Sequence, residues 1–148
     1  MSFVLDASVT LSWLLGDARA VDRKYSAAAL AALTDSRVTA FVPTTWALEV
    51  ANVLAKAEAR HVITEAQSGA FLEMLSALNV CADDATFESA LSETLHLSRR
   101  YSLSSYDASY LELALRLSAP MATLDLDLAK AARKAGVARF TVDRQQPE

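Results

Sequence analysis

Four acidic side chains carry most of the chemistry this sequence offers. Asp6 closes the apolar run Phe3-Val4-Leu5 and Asp125 closes Met121-Ala122-Thr123-Leu124, so both stand where a short strand runs out. Glu49 lies on the stripe of Trp46, Val50 and Val53, the face a helix turns toward the core, and Asp107 follows Ser104 at a capped helix start. A carboxylate left unpaired against apolar surface takes up a proton or destabilises the fold, and an approaching cation removes that penalty. Clustered carboxylates repel unless a divalent ion sits among them, and a hard, all-oxygen donor set selects Mg2+ or Mn2+. Such an ion activates water for in-line attack on phosphorus and stabilises the leaving oxygen, so no nucleophilic side chain is needed.

Plainer readings stand beside this one. Asp6 and Asp125 are placed to cap the helices that follow them, and Asp107 to form the acidic arm of a capping box with Ser104. Glu49 has no capping role, and its stripe suits a solvated acid poorly. Zinc has no support: His61 and His96 are far apart in the sequence, and the single cysteine, Cys81, reads as a small core or boundary residue between Val80 and Ala82.

The elements that must position these acids follow from periodicity and caps. Residues 3–5 read as a strand and 7–15 as a helix stopped by Gly16, followed by an Ala-rich helix over 22–33 and a strand over 39–42. Beyond Pro43 a helix is expected over 45–59, and the capping-box pattern Thr64-Glu65-Ala66-Gln67 opens another that lasts to 77. A third strand is expected at 78–80, then one long helix over 86–101 with Phe87, Ala90, Leu91, Leu95 and Leu97 as its apolar residues. Ser104 caps a helix to 118, residues 120–124 form a fourth strand, 126–135 a helix closed by Gly136, and 138–142 a last strand. Short apolar strands separated by helices imply an α/β fold: a mostly parallel central sheet of about four or five strands sandwiched by helices. Ligands bind beyond the carboxyl ends of such strands, the edge at which Asp6 and Asp125 emerge.

Composition supports one domain over residues 1–142 with a polar tail at 143–148. The 148 residues are 53% apolar and include only three glycines and three prolines, too apolar a mixture to stay disordered. One cysteine excludes an internal disulfide framework and suits a reducing compartment. An acid at position 6 rules out a signal peptide, and no run approaches the roughly 18 apolar residues of a membrane span, so a cytoplasmic protein without membrane association is expected. The net charge of -4 argues at first against a polyanionic partner. With four acids committed to cations, however, the remaining charges balance at 14 of each sign.

In order and spacing, Val4-Leu5-Asp6-Ala7-Ser8, Glu49-Val50-Ala51-Asn52-Val53-Leu54, Ser104-Ser105-Tyr106-Asp107-Ala108 and Thr123-Leu124-Asp125 give a chain that resembles PIN-domain proteins. Among them it resembles the VapC-type toxin ribonucleases of bacterial toxin-antitoxin pairs. The resemblance implies a helix-sandwiched parallel sheet and a Mg2+- or Mn2+-dependent endoribonuclease. Asp6, Glu49, Asp107 and Asp125 match the acidic metal-binding and catalytic positions, and Ser8 and Thr123 match hydroxyls that orient carboxylates or metal-bound water. Asp127 and Asn52 are further candidates for support, the second through a hydrogen bond near Glu49. The resemblance also implies a VapB-type antitoxin whose tail covers the acidic groove, an RNA substrate and a homodimer.

The apolar surface for a dimer would come from Trp13, Leu14, Trp46 and the Ala-rich helix, residues that core packing explains equally well. RNA-binding cations would come from Arg19, Arg23, Lys24, Lys56, Arg60, Arg99, Arg100, Lys130, Arg133 and Lys134, too scattered for any one to be singled out. Competing classes fare worse. A haloacid-dehalogenase-like phosphatase needs an acid where Ser8 stands, and a receiver domain needs an Asp near Val80 and a Lys after Thr141. A non-catalytic PIN-like binding module, or an RNA-processing PIN nuclease without an antitoxin, remains as the alternative.

Overall fold

The computed structural model describes residues 1–16 and 19–142. Four parallel strands, β1 (Ser2–Leu5), β2 (Thr39–Val42), β3 (Val80–Ala82) and β4 (Met121–Ala122), form a sheet of order β3-β2-β1-β4. β1 is central: Val4 lies opposite Phe41 on one side and Met121 on the other. Buried on both faces, it is apolar at every position from Phe3 to Leu5.

The helices are α1 (Ala7–Leu15), α2 (Ala20–Ala32), α3 (Thr45–Ala59), α4 (Glu65–Ser76), α5 (Thr86–Ser89), α6 (Leu95–Tyr101), α7 (Ser105–Leu117) and α8 (Leu126–Lys134). On one face of the sheet, Leu111 and Ala114 of α7 and Leu128 of α8 pack with Val4 and Met121. On the other, Val9 of α1 and Ala29 of α2 pack with Phe3 and Leu5. A third cluster joins α1, α3 and α4 through Ala7, Val50, Leu54, Phe71 and Leu75. Both tryptophans belong to these cores: Trp46 Nε1 donates to Thr10 Oγ1 at 3.1 Å and Trp13 Nε1 to the Ser26 carbonyl at 2.8 Å. Core packing therefore accounts for them.

Local signals set several boundaries as expected. Gly16 takes the left-handed conformation, φ 61°, that stops α1, and Thr64 and Gln67 complete both arms of a capping box on α4. Other boundaries move. α2 begins at Ala20 rather than 22, β3 lies two residues later than expected, and β4 keeps only two residues. The strand expected at 138–142 shrinks to a single bridge between Met121 and Arg139. Phe140, next to that bridge, buries its ring against Phe3 at 3.9 Å between centroids.

The helix expected over 86–101 is interrupted by a π-helical turn at Ala90–Thr94. Its inward residues are Thr86, Thr94 and Leu97, whereas Phe87 and Leu91, expected on an apolar face, are 90% and 87% exposed. Eight residues separate Thr86 from Thr94, which would rotate a regular helix by about 80° past two turns; the wider turn absorbs that drift.

Arg116 ties α7 to the loop after β3. It reaches Glu112 Oε1 at 2.8 Å and Asp83 Oδ2 at 2.7 Å, both acids being largely buried. Among the described residues no helix is long and apolar enough to cross a membrane, and the expected tail at 143–148 lies outside them.

Candidate functional site

Asp6 leaves β1 at the carboxyl edge of the sheet, its backbone N–H still donating to Ala122 at 3.0 Å. It occupies the capping position of α1 without capping it. Its carboxylate, on a residue only 3% exposed, is instead turned toward β4, where Oδ2 accepts from the Thr123 hydroxyl at 2.8 Å and from the Ser8 hydroxyl. Those hydroxyls are themselves held: Ser8 Oγ accepts from the Leu124 N–H at 2.9 Å and Thr123 Oγ1 from the Asp125 N–H at 3.0 Å. Burial pushes the Asp6 carboxyl above its ordinary value; the Ser8 and Thr123 hydrogen bonds oppose that rise, and the nearby Asp125 charge adds to it.

Asp125 does cap its helix, accepting from the Leu128 N–H through Oδ1 at 2.8 Å. Asp107 fulfils half of the box expected with Ser104: its backbone N–H donates to Ser104 Oγ at 3.1 Å. Partial burial raises the Asp107 carboxyl, and Asp125, Asp6 and Asp127 raise it further. Capping and clustering are thus compatible, because a cap engages one carboxylate oxygen or only the backbone.

Glu49 arrives from α3, whose first turn is pinned to α7 by the Thr45 and Ser109 hydroxyls, 3.0 Å apart. Its Oε1 is buried without a well-formed hydrogen bond, and beside it on α7 lies the buried hydroxyl of Tyr110, whose interaction with Glu49 works to lower the Glu49 carboxyl. Burial first, then the charges of Asp6 and Asp107, push the Glu49 carboxyl up to about 7. The four acids therefore come from the end of β1, from α3, from the first turn of α7 and from the cap of α8, and their charges act on one another. Among the described residues no three acidic, histidine or cysteine side chains form a ready-made metal cage.

Of the supporting candidates, Ser8 and Thr123 bond directly to Asp6. Asp127 is exposed in the first turn of α8 and reaches the cluster through its charge on Asp107. Asn52 is exposed, and among the described residues no hydrogen bond joins it to Glu49. Sequence reasoning overlooked Tyr110; the available signal was its place three residues after Asp107, on the same side of α7.

With this geometry in place, comparison with known families is informative. The PIN domain model matches residues 3–134, and the chain belongs to the PIN domain family, whose members are typically metal-dependent nucleases. The crystal structure of PAE2754 from Pyrobaculum aerophilum superimposes with a TM-score of 0.61 at 21% identity, covering 88% of this chain and 87% of that one. That likeness is one of fold. Comparison with curated proteins finds no match.

Proposed function

We propose that this PIN domain is a Mg2+-dependent endoribonuclease, the toxin of a VapBC-type pair, in which Asp6, Glu49, Asp107 and Asp125 hold one or two ions. The observation that carries the reading is Glu49: a carboxylate with one oxygen buried beside the Tyr110 hydroxyl, pushed toward neutrality by burial and by two neighbouring acids. An oxygen-only donor set of this kind fits Mg2+ or Mn2+, which take a few carboxylates and complete their shell with water. When bound, the ion supplies the Lewis acidity that polarises a phosphodiester and activates water.

The remaining work belongs to the chain. Ser8 and Thr123 fix the orientation of Asp6, and the α8 cap fixes Asp125, so neither has to be ordered when substrate arrives. At neutral pH Glu49 is poised near the midpoint of its titration, and an approaching cation shifts it to the carboxylate. In this reading a VapB-type antitoxin covers the site, and the exposed Phe87 and Leu91 offer apolar surface for a homodimer.

The test is cleavage of a mixed RNA pool by purified protein with Mg2+, with Mn2+ and with EDTA, beside an Asp6→Asn variant. Cutting that needs the ion and disappears in the variant is expected. Cutting that persists in EDTA and in Asp6→Asn would overturn the reading. The toxin role further requires a neighbouring short reading frame whose product co-purifies with this chain and suppresses the cutting.

A further inference from the structure

A cleft of about 590 Å3 opens next to the acidic site, between the start of α2, strand β4 and α8, and Thr123, Leu124 and Asp125 form the wall that the two share. Its other walls carry Arg19, Lys130, Arg133 and Arg139. Arg19 is paired with Asp22 at 3.0 Å, but among the described residues Lys130, Arg133 and Arg139 have no salt-bridge partner. Arg37 and Arg116 are committed to carboxylates, and Lys24, Lys56, Arg60, Arg99, Arg100 and Lys134, which share the lack of a salt bridge among the described residues, do not line this cleft. What distinguishes Lys130, Arg133 and Arg139 is that no carboxylate among the described residues neutralises them and that they line one cleft beside a mutually repelling set of acids.

The fold holds these cations in place. α8 turns Leu128, Ala131 and Ala132 inward, which leaves Lys130 and Arg133 on its outer side. The Arg139 guanidinium lies 4.0 Å from the centre of the Tyr25 ring, and Tyr25 is fixed by its hydroxyl donating to the Phe140 carbonyl at 2.8 Å. A guanidinium stacked on a ring keeps its edge N–H groups for a planar or tetrahedral oxyanion. Arg139 sits where the sheet's expected last strand is reduced to one bridge, so its reach is set by the backbone. From Asp125 to Arg133 is a rise of about 12 Å along the helix, so a strand laid along α8 from the acids passes Lys130 and then Arg133.

We propose that this cleft binds the sugar-phosphate backbone of single-stranded RNA on one side of the cleaved bond, with Lys130, Arg133 and Arg139 contacting successive phosphates. The assignment rests on the ribonuclease reading of the adjoining site. Continuity selects RNA over an acidic peptide: a strand whose phosphodiester reacts at the carboxylates must carry its next phosphates away from them, and this cleft begins at Asp125 and Thr123. The exposed Leu126 and Val21 on the cleft walls offer apolar surface to sugars or bases.

The experiment is fluorescence anisotropy of a 5′-fluorescein-labelled, mixed-sequence 12-nucleotide RNA in EDTA, titrated with the full chain across a range of KCl concentrations. An Asp6→Asn background prevents cutting. Lys130→Gln/Arg133→Gln is expected to weaken binding about tenfold and to reduce the slope of log K against log salt by about 1.4, roughly 0.7 per lost phosphate contact. Arg139→Gln should reduce the slope by about 0.7. Lys56→Gln/Arg60→Gln, which removes two cations at the far end of α3, should leave the slope unchanged.

Equal effects in the cleft and control variants, or unchanged slopes in both, would overturn the proposal. So would absence of RNA binding, including the case in which a deca-glutamate peptide binds through the same arginines instead. Cleavage by the otherwise native chain separates the two readings. If it cuts no RNA with Mg2+ or Mn2+ while cleft variants still lose binding, the cleft stands and the nuclease reading falls. If it cuts while cleft variants bind and cut like the native chain, the cleft assignment falls alone.

Discussion

Glu49 keeps its proton at a pH where an exposed glutamate has lost it, and that makes stability depend on pH in a definite direction. Its ordinary value is 4.5 and its folded value about 7, so between the two the folded chain binds more proton than the unfolded one. The contribution is complete below about pH 4.5 and is lost as pH rises through 7. Asp6 and Asp107, also raised, act in the same direction. In EDTA, the melting temperature is expected to fall between pH 5.5 and pH 8, and Glu49→Gln should flatten the fall; a steeper fall in the variant would contradict the assignment. The effect is on the order of 1–2 kcal/mol, because Glu49 is only half-buried and solvent screens part of the shift. Asp6, Asp125 and Glu49 were legible as candidates because each breaks an apolar pattern at a strand end or on a helix stripe. The roles of Thr123 and Ser8 beside Asp6 were suggested only by the family resemblance, since Thr123 stands 117 residues away in the chain. The Tyr110 hydroxyl beside Glu49 had one faint signal, its place three residues after Asp107, but a tyrosine in a helix reads as core until its neighbour on another helix is known.

α7 supplies both Asp107 and the Arg116 clamp, so the first turn of the site and the last turn of the helix share one rigid body. Burial works to raise the Asp83 carboxyl, but Arg116, the Ala85 N–H and the Thr86 hydroxyl together hold it below the ordinary value. Arg116→Met leaves Glu112 and Asp83 buried and unpaired, and a loss of about 3 kcal/mol is expected by urea denaturation. Arg37→Met, which removes a fully exposed partner of Asp35, should leave the urea midpoint unchanged. Elements fixed by local chemistry were legible, α4 above all, because both arms of its box are written within four residues. Elements fixed by distant contacts were not. Phe140 keeps one backbone hydrogen bond to Met121 and is anchored by its ring stacked on Phe3, and the π-helical turn at Ala90–Thr94 keeps Thr86 and Thr94 both buried.

At the carboxyl edge of the sheet the molecule sets its acids beside a cleft whose walls carry Lys130, Arg133 and Arg139. Net charge alone conceals this, which is why the composition excluded so little. A divalent ion that binds only the folded chain should stabilise it by about 1.4 kcal/mol at ten times its dissociation constant. Mg2+ should accordingly raise the melting temperature at pH 8, and Asp6→Asn should abolish the rise; an equal rise in the variant would place the ion elsewhere. The α/β class was legible from alternating elements, but the meeting of four acids required the strand order. That order also has a consequence for the timing of synthesis. Asp6 is made 117 residues before Thr123, which holds its carboxylate. At typical elongation rates the interval is about 6 to 23 s. Throughout it the nascent chain carries Asp6 without its hydroxyl bracket and without Asp125, so the acidic cluster stays incomplete while the chain is still being made.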